Sequence, residues 1–146
     1  MVAKQTLLAT LRHLYEGAAN PLGVGLCDNV TFRDPAVVVH GRPKVLNMFR
    51  RLNALFPYSE IQHLDTLDSK SDAYDLLVNY RRAPNSAAHP FRTHLHVSYQ
   101  DGLIRDLTEH WQSPLRFSAE PRSPITEMVR GALGQLISSN AYRGAR

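Results

Sequence analysis

The sequence predicts one α+β domain in which a cone-shaped, curved antiparallel sheet wraps on N-terminal helices. Three observations predict it. Apolar residues recur at helical spacing over residues 4–16 and again over 43–56. Past Pro57 the apolar period falls to two, as expected of strands with one face buried. Asp101-Gly102 then separates two alternating stretches as a tight hairpin turn. Helices gathered ahead of a strand meander give an α+β arrangement.

Leu7, Leu8, Leu11, Leu14 and Tyr15 share one helical face, which predicts an amphipathic helix over residues 4–16 that stops at Gly17. Asn20-Pro21 opens like a helix entry, but Gly23 and Gly25 weaken it, so residues 20–28 read as a short helix or turn. Residues 30–33 form a short strand, closed by Asp34-Pro35 because proline pushes its predecessor to extended geometry. Residues 37–40 make a second short strand, ended by Gly41. Pro43 stands where a helix begins; Val45, Met48, Phe49, Leu52, Leu55 and Phe56 follow at helical spacing, with Pro57 as the stop.

Tyr74, Leu76, Val78 and Tyr80 alternate with Asp75, Leu77, Asn79 and Arg81, and Phe91, Thr93, Leu95, Val97 and Tyr99 repeat the pattern. Residues 83–90 join these strands, and 103–112 form the last long one. Alternation places Leu103, Arg105, Leu107, Glu109 and Trp111 on one face. Ser123-Pro124 then reads as an N-cap and first helical residue, followed by an apolar face of Ile125, Met128, Val129, Ala132, Leu133, Leu136 and Ile137. Residues 1–115 are thus expected to form the domain, and 116–146 an extension carrying an amphipathic helix.

At 146 residues the chain buries enough surface to fold without a metal or disulfide. Cys27 is its one cysteine, which excludes an internal disulfide and fits a reducing, cytoplasmic setting. No apolar run reaches the roughly 18 residues that span a bilayer. The net charge of +4 is spread over arginine pairs, not a basic stripe with aromatics, so nucleic acid is not an expected partner. Lys4 and Arg12 precede the first acid, Glu16, a composition that also fits a mitochondrial import segment; the helical reading of the same residues is preferred. His94 and His96 point to one side of a strand but lack a third ligand at readable spacing, so no metal and no cofactor are expected.

The run Cys27-Asp28-Asn29-Val30-Thr31-Phe32-Arg33-Asp34-Pro35, then His40-Gly41-Arg42 and the helix through Phe56, resembles the front half of the nuclear transport factor 2-like superfamily. That group includes ketosteroid isomerase and the SnoaL-like polyketide cyclases. Asp101-Gly102-Leu103-Ile104 and Glu109-His110-Trp111-Gln112 resemble its back half, with Gln112 where SnoaL-like proteins carry aspartate. The resemblance covers residues 4–113 and implies a cystatin-like roll around an apolar cavity.

It places Asp34 at the general base of the isomerase and Glu109 in the cavity as acid or orienting group. Tyr15, Phe32, Phe49, Leu95, Val97, Tyr99, Leu107 and Trp111 are then the expected lining. The isomerase's oxyanion tyrosine and protonated aspartate fall on Leu11 and Leu95, so steroid isomerisation itself is not implied. Two readings stay open for Asp34, a base or a strand-ending Asp-Pro turn. For Glu109 the alternatives are an ion pair with Arg105 or a hydrogen bond to a tyrosine.

The function implied is a small-molecule pocket protein acting as an acid–base isomerase, cyclase or dehydratase on a small apolar carbonyl compound. The alternative is a non-catalytic interaction module, dimeric like nuclear transport factor 2. A homodimer is expected in either case, because the convex face of such a sheet needs covering. An open apolar cavity reached by both acids favours ligand chemistry; a cone plugged by aromatic rings favours the interaction module.

Overall fold

The computed structural model describes residues 4–18, 25–68 and 70–112. These form two helices, α1 (Lys4–Glu16) and α2 (Arg42–Leu55), and six strands: β1 (Leu26–Arg33), β2 (Val38–His40), β3 (Glu60–Asp68), β4 (Ala73–Tyr80), β5 (His89–Gln100) and β6 (Leu103–Trp111). The strands make one open, curved sheet in the order β2-β1-β6-β5-β4-β3. All neighbours are antiparallel except β1 and β6, which run parallel.

Helix α1 turns Leu7, Leu11, Leu14 and Tyr15 into the core, as its spacing predicts. It ends at Gly17, whose φ of +72° is cheap only for glycine. Helix α2 starts after Gly41 with Pro43 in its first turn, and buries Val45, Met48 and Phe49. Both helices sit inside the curl of the sheet, α2 against β1 and β2 and α1 against β3 and α2. The inner positions of β4 and β5 close the core: Tyr74, Leu76, Val78 and Tyr80 against Phe91, Leu95 and Val97. Asp101 and Gly102 both take positive φ, +53° and +79°, the pairing that a two-residue type I′ hairpin requires.

Four expectations need correction or placement. Residues 26–28, read as helix or turn, belong to β1, where Leu26 and Cys27 are buried. Strand β3 was not expected. It is an edge strand with register shifts after Ile61 and Thr66, so its apolar residues lose period two. Leu103 and Arg105 do not share the inner face of Leu107, Glu109 and Trp111. A bulge lets Ser98 pair with Asp106 and Tyr99 with Ile104, so Arg105 is the extra residue and Ile104 turns inward instead. The terminal helix and the 116–146 extension lie outside the described residues. Among the described residues no helix is long and apolar enough to cross a membrane.

Candidate functional site

The parallel pairing of β1 with β6 brings the two acids together. Phe32 lies beside Leu107 and Arg33 beside Thr108, so the chain leaves β1 at Asp34 alongside Glu109. Both acids line one hollow between α2 and the sheet, with Phe32, Met48, Phe49, Leu52, Tyr80, Phe91 and Trp111. Its volume is about 20 Å3, space for one water-sized group. The cavity is narrower than an open pocket, because aromatic rings from four strands and α2 converge there. Phe32 and Phe49 meet edge to face at 5.3 Å, and Phe91 and Trp111 at 5.9 Å.

Asp34 does two things at once. Its Oδ1 accepts from the backbone N–H of Ala36 (2.7 Å) and of Val37 (2.8 Å), an Asx turn that carries the chain around Pro35 into β2. Among the described residues no side chain donates to Oδ2. Burial raises its pKa to about 6, against the pull of those two N–H groups.

Glu109 is only 6% exposed and is satisfied at both oxygens. Trp111 Nε1 donates to Oε1 at 2.8 Å, and the Tyr15 hydroxyl makes a short hydrogen bond with Oε2. Burial pushes Glu109 up to about 8, the charge on Asp34 adds to the rise, and the Tyr15 and Trp111 bonds oppose it. An indole can only donate, so Oε1 must accept. The Tyr15 hydroxyl donates to Oε2, so both bonds favour the ionised form of Glu109 while burial favours the neutral one. The tyrosine alternative for Glu109 is the one observed; Arg105 pairs instead with Asp106 at 3.1 Å.

Of the expected lining, Phe32, Phe49 and Trp111 border the hollow. Tyr15 reaches it only through Glu109. Leu95 and Leu107 are core with no exposure, and Val97 lies among them. Tyr99 keeps the inner face, packed on the core beside Tyr74, but does not border the hollow. Met48, Leu52, Tyr80 and Phe91 were missed. The signal was present: Met48 and Leu52 flank Phe49 on its helix face, and Tyr80 and Phe91 occupy inner strand positions. Tyr80 matters most, since burial and both carboxylates hold its phenol well above the ordinary range.

A larger groove of about 390 Å3 lies between the end of α1 and α2, bordered by His13, Glu16, Asn53 and Pro57. Three of its polar groups already serve the fold. Glu16 Oε2 accepts from Ile61 N at 2.6 Å, Asn53 Nδ2 donates to Leu14 O at 2.8 Å, and His13 Nδ1 bonds Ala18 O at 2.8 Å. On the opposite sheet face, Arg92 grips the buried Asp75 with two N–H groups, with His63 at 3.4 Å and His94 at 3.8 Å. His96 and His110 pack there edge to face at 4.8 Å. No cluster among the described residues has the donors to hold a metal ion.

Two helices on a curved, unclosed mixed sheet make the architecture of the nuclear transport factor 2-like and ketosteroid isomerase-like folds. No family model matches the sequence, and no curated protein does. Solved structures do match in fold. An NTF2-like protein from Anabaena variabilis is 13% identical with a TM-score of 0.59, covering 74% of this chain and 84% of that one. A protein from Jannaschia sp. CCS1, described as a SnoaL-like polyketide cyclase, is 12% identical with a TM-score of 0.54, covering 84% and 96%. A protein with a ketosteroid isomerase-like fold from Catenulispora acidiphila, in complex with trimethylamine, is 11% identical with a TM-score of 0.57, covering 77% and 89%. At these identities the likeness establishes the fold.

Proposed function

We propose that this chain binds a small ligand in the cone and exchanges protons with it, as an isomerase, cyclase or dehydratase acting on a small apolar carbonyl compound. The observation that carries this reading is the meeting of Asp34 and Glu109 on one aromatic-lined hollow, with their proton affinities pushed apart. The pair titrates as a unit. With values of about 6 and about 8, the state that dominates near pH 7 has Asp34 ionised and Glu109 neutral. One acid and one base then coexist, which is what proton transfer needs.

Asp34 Oδ2 takes a proton from a carbon next to the carbonyl. The C–H bond breaks, an O–H bond forms on Asp34, and the electron pair moves onto the carbonyl oxygen as an enolate. Tyr80 donates its phenolic O–H to that oxygen, neutral Glu109 keeps the added charge in the cone to a minimum, and Asp34 returns the proton to another carbon. The aromatic walls limit the ligand to a few heavy atoms. Small-molecule binding by a protein of this fold, trimethylamine in the Catenulispora structure, supports the reading.

The test is hydrogen–deuterium exchange of small ketones and 1,3-diketones, followed by proton NMR. The protein accelerates exchange over buffer, and Asp34→Asn loses at least about 100-fold of that acceleration. Undiminished exchange in the variant removes Asp34 as the base.

A second reading, a non-catalytic dimeric interaction module, draws on how far aromatic rings fill the cone. Sedimentation equilibrium and the same exchange assay separate the two. A dimer that exchanges no α-proton fits the module.

A further inference from the structure

We propose that the hollow also takes a small organic cation, an ammonium or methylated amine, with ionised Asp34 as its counter-charge, Glu109 beside it and aromatic rings around its carbon atoms. This rests on the hollow being a ligand site, and not on the proton-transfer step.

The starting point is an imbalance of charge. Two acids in the described chain are buried, Asp75 and Glu109. Asp75 is met by Arg92 and His63, as a buried carboxylate requires. Glu109 has no such partner. No lysine, arginine or histidine is among the described residues that line the hollow, and no described basic group pairs with Asp34 or Glu109. With Asp34 ionised the space carries one negative charge, and none of the described residues that line it supplies a positive one.

The hydrogen-bonding inventory agrees. Tyr15 and Trp111 both bond to Glu109 and neither is available to a ligand. Tyr80 is 2% exposed, lines the hollow, and bonds to no other described residue through its hydroxyl. An anion would face two acids. An uncharged carbonyl would find a single donor, the Tyr80 phenol. An ammonium N–H finds Asp34 Oδ2 and the Tyr80 oxygen as acceptors, while N-methyl groups meet Phe32, Phe49, Phe91 and Trp111. Cations are attracted to aromatic faces most strongly where water is excluded. With room for about one water-sized group, ammonium fits as the hollow stands, and each added methyl needs the surrounding rings to give.

The titratable groups that face the site are Asp34 after β1, Glu109 on β6, Tyr15 on α1 and Tyr80 on β4; α2 and β5 contribute only Met48, Phe49, Leu52 and Phe91. A bound cation favours ionised Glu109, so binding releases a proton and tightens as pH rises from 6 to 8.

The experiment is calorimetric titration of the full chain, in sodium chloride, with methylammonium, trimethylammonium and acetone. Acetone matches trimethylamine in heavy atoms and carries no charge. Expected are saturable one-to-one amine binding, a heat that varies with the buffer's ionisation enthalpy, and at least tenfold weaker binding in Glu109→Gln and Asp34→Asn. The wild-type buffer dependence needs no variant to fold. The inference is overturned by no saturable amine binding, by acetone binding as tightly, by amine heats independent of buffer, or by undiminished binding in folded variants. Ketone exchange is read separately: exchange without amine binding leaves the proton-transfer reading standing, and amine binding without exchange does the reverse.

Discussion

Glu109→Gln separates the charge of the buried acid from its shape. The glutamine oxygen can accept from Trp111 and its amide can donate to Tyr15, so both hydrogen bonds seen at Glu109 have replacements. What disappears is the ability to ionise. In the unfolded chain Glu109 ionises near its ordinary value of 4.5, and in the folded protein near 8. Between those values the folded state holds a proton that the unfolded state has released, so stability falls as pH rises. The loss is absent below 4.5 and complete above 8. Three and a half pH units at about 1.4 kcal/mol each set an upper bound of roughly 5 kcal/mol. Water entry and relaxation reduce it, and about 2 kcal/mol is enough to measure.

The assay is urea unfolding from pH 5 to 9, followed by fluorescence of Trp111, the single tryptophan, which touches the mutated side chain. The two proteins are expected to be equally stable at pH 5, with the variant gaining progressively to pH 8. Parallel profiles over that range would refute the raised affinity of Glu109 for its proton.

Four other outcomes follow from particular contacts. Tyr15→Phe removes the hydroxyl at Oε2, raises the Glu109 pKa further, and costs about 1–3 kcal/mol where Glu109 is ionised, as denaturant titration at pH 9 will read. Arg92→Ala strips Asp75 of its bidentate partner and lowers stability at pH 7, as urea unfolding will read. Since that arginine lowers the Asp75 pKa, its stabilisation is present above the unfolded value and fades as acid protonates Asp75; a constant cost down to pH 2 would count against the pair. Phe91→Ala widens the hollow and costs about 3–5 kcal/mol, with larger ketones and amines gaining affinity relative to small ones in calorimetry. Gly102→Ala meets no atom within 4 Å, so its cost of about 1–2 kcal/mol in thermal unfolding is conformational and comes from the positive φ alone.

Much of the fold was legible because local signals agreed with burial. The Leu7–Leu11–Leu14–Tyr15 spacing, Pro43 before an apolar helical face, and Asp101-Gly102 each require one backbone geometry, and each is found with it. What escaped were irregularities that periodicity cannot carry. Two register shifts hid β3, and one bulge at Arg105 moved Leu103 off the face that alternation assigns it. The meeting of Asp34 and Glu109 depends on the parallel pairing of β1 and β6, a contact between distant parts of the chain that only the family resemblance foreshadowed. Tyr80 was placed on the inner face by alternation, yet nothing in sequence spacing says that its hydroxyl ends beside two acids.

Isotope-edited carbon NMR of the side-chain carboxyls, assigned with Asp34→Asn and Glu109→Gln, tests the account most directly. It predicts one resonance titrating near 8 and another near 6, each shifting when the other acid is removed. Two independent titrations between 4 and 5 would mean that water reaches both groups, and the cone would then hold no acid–base pair.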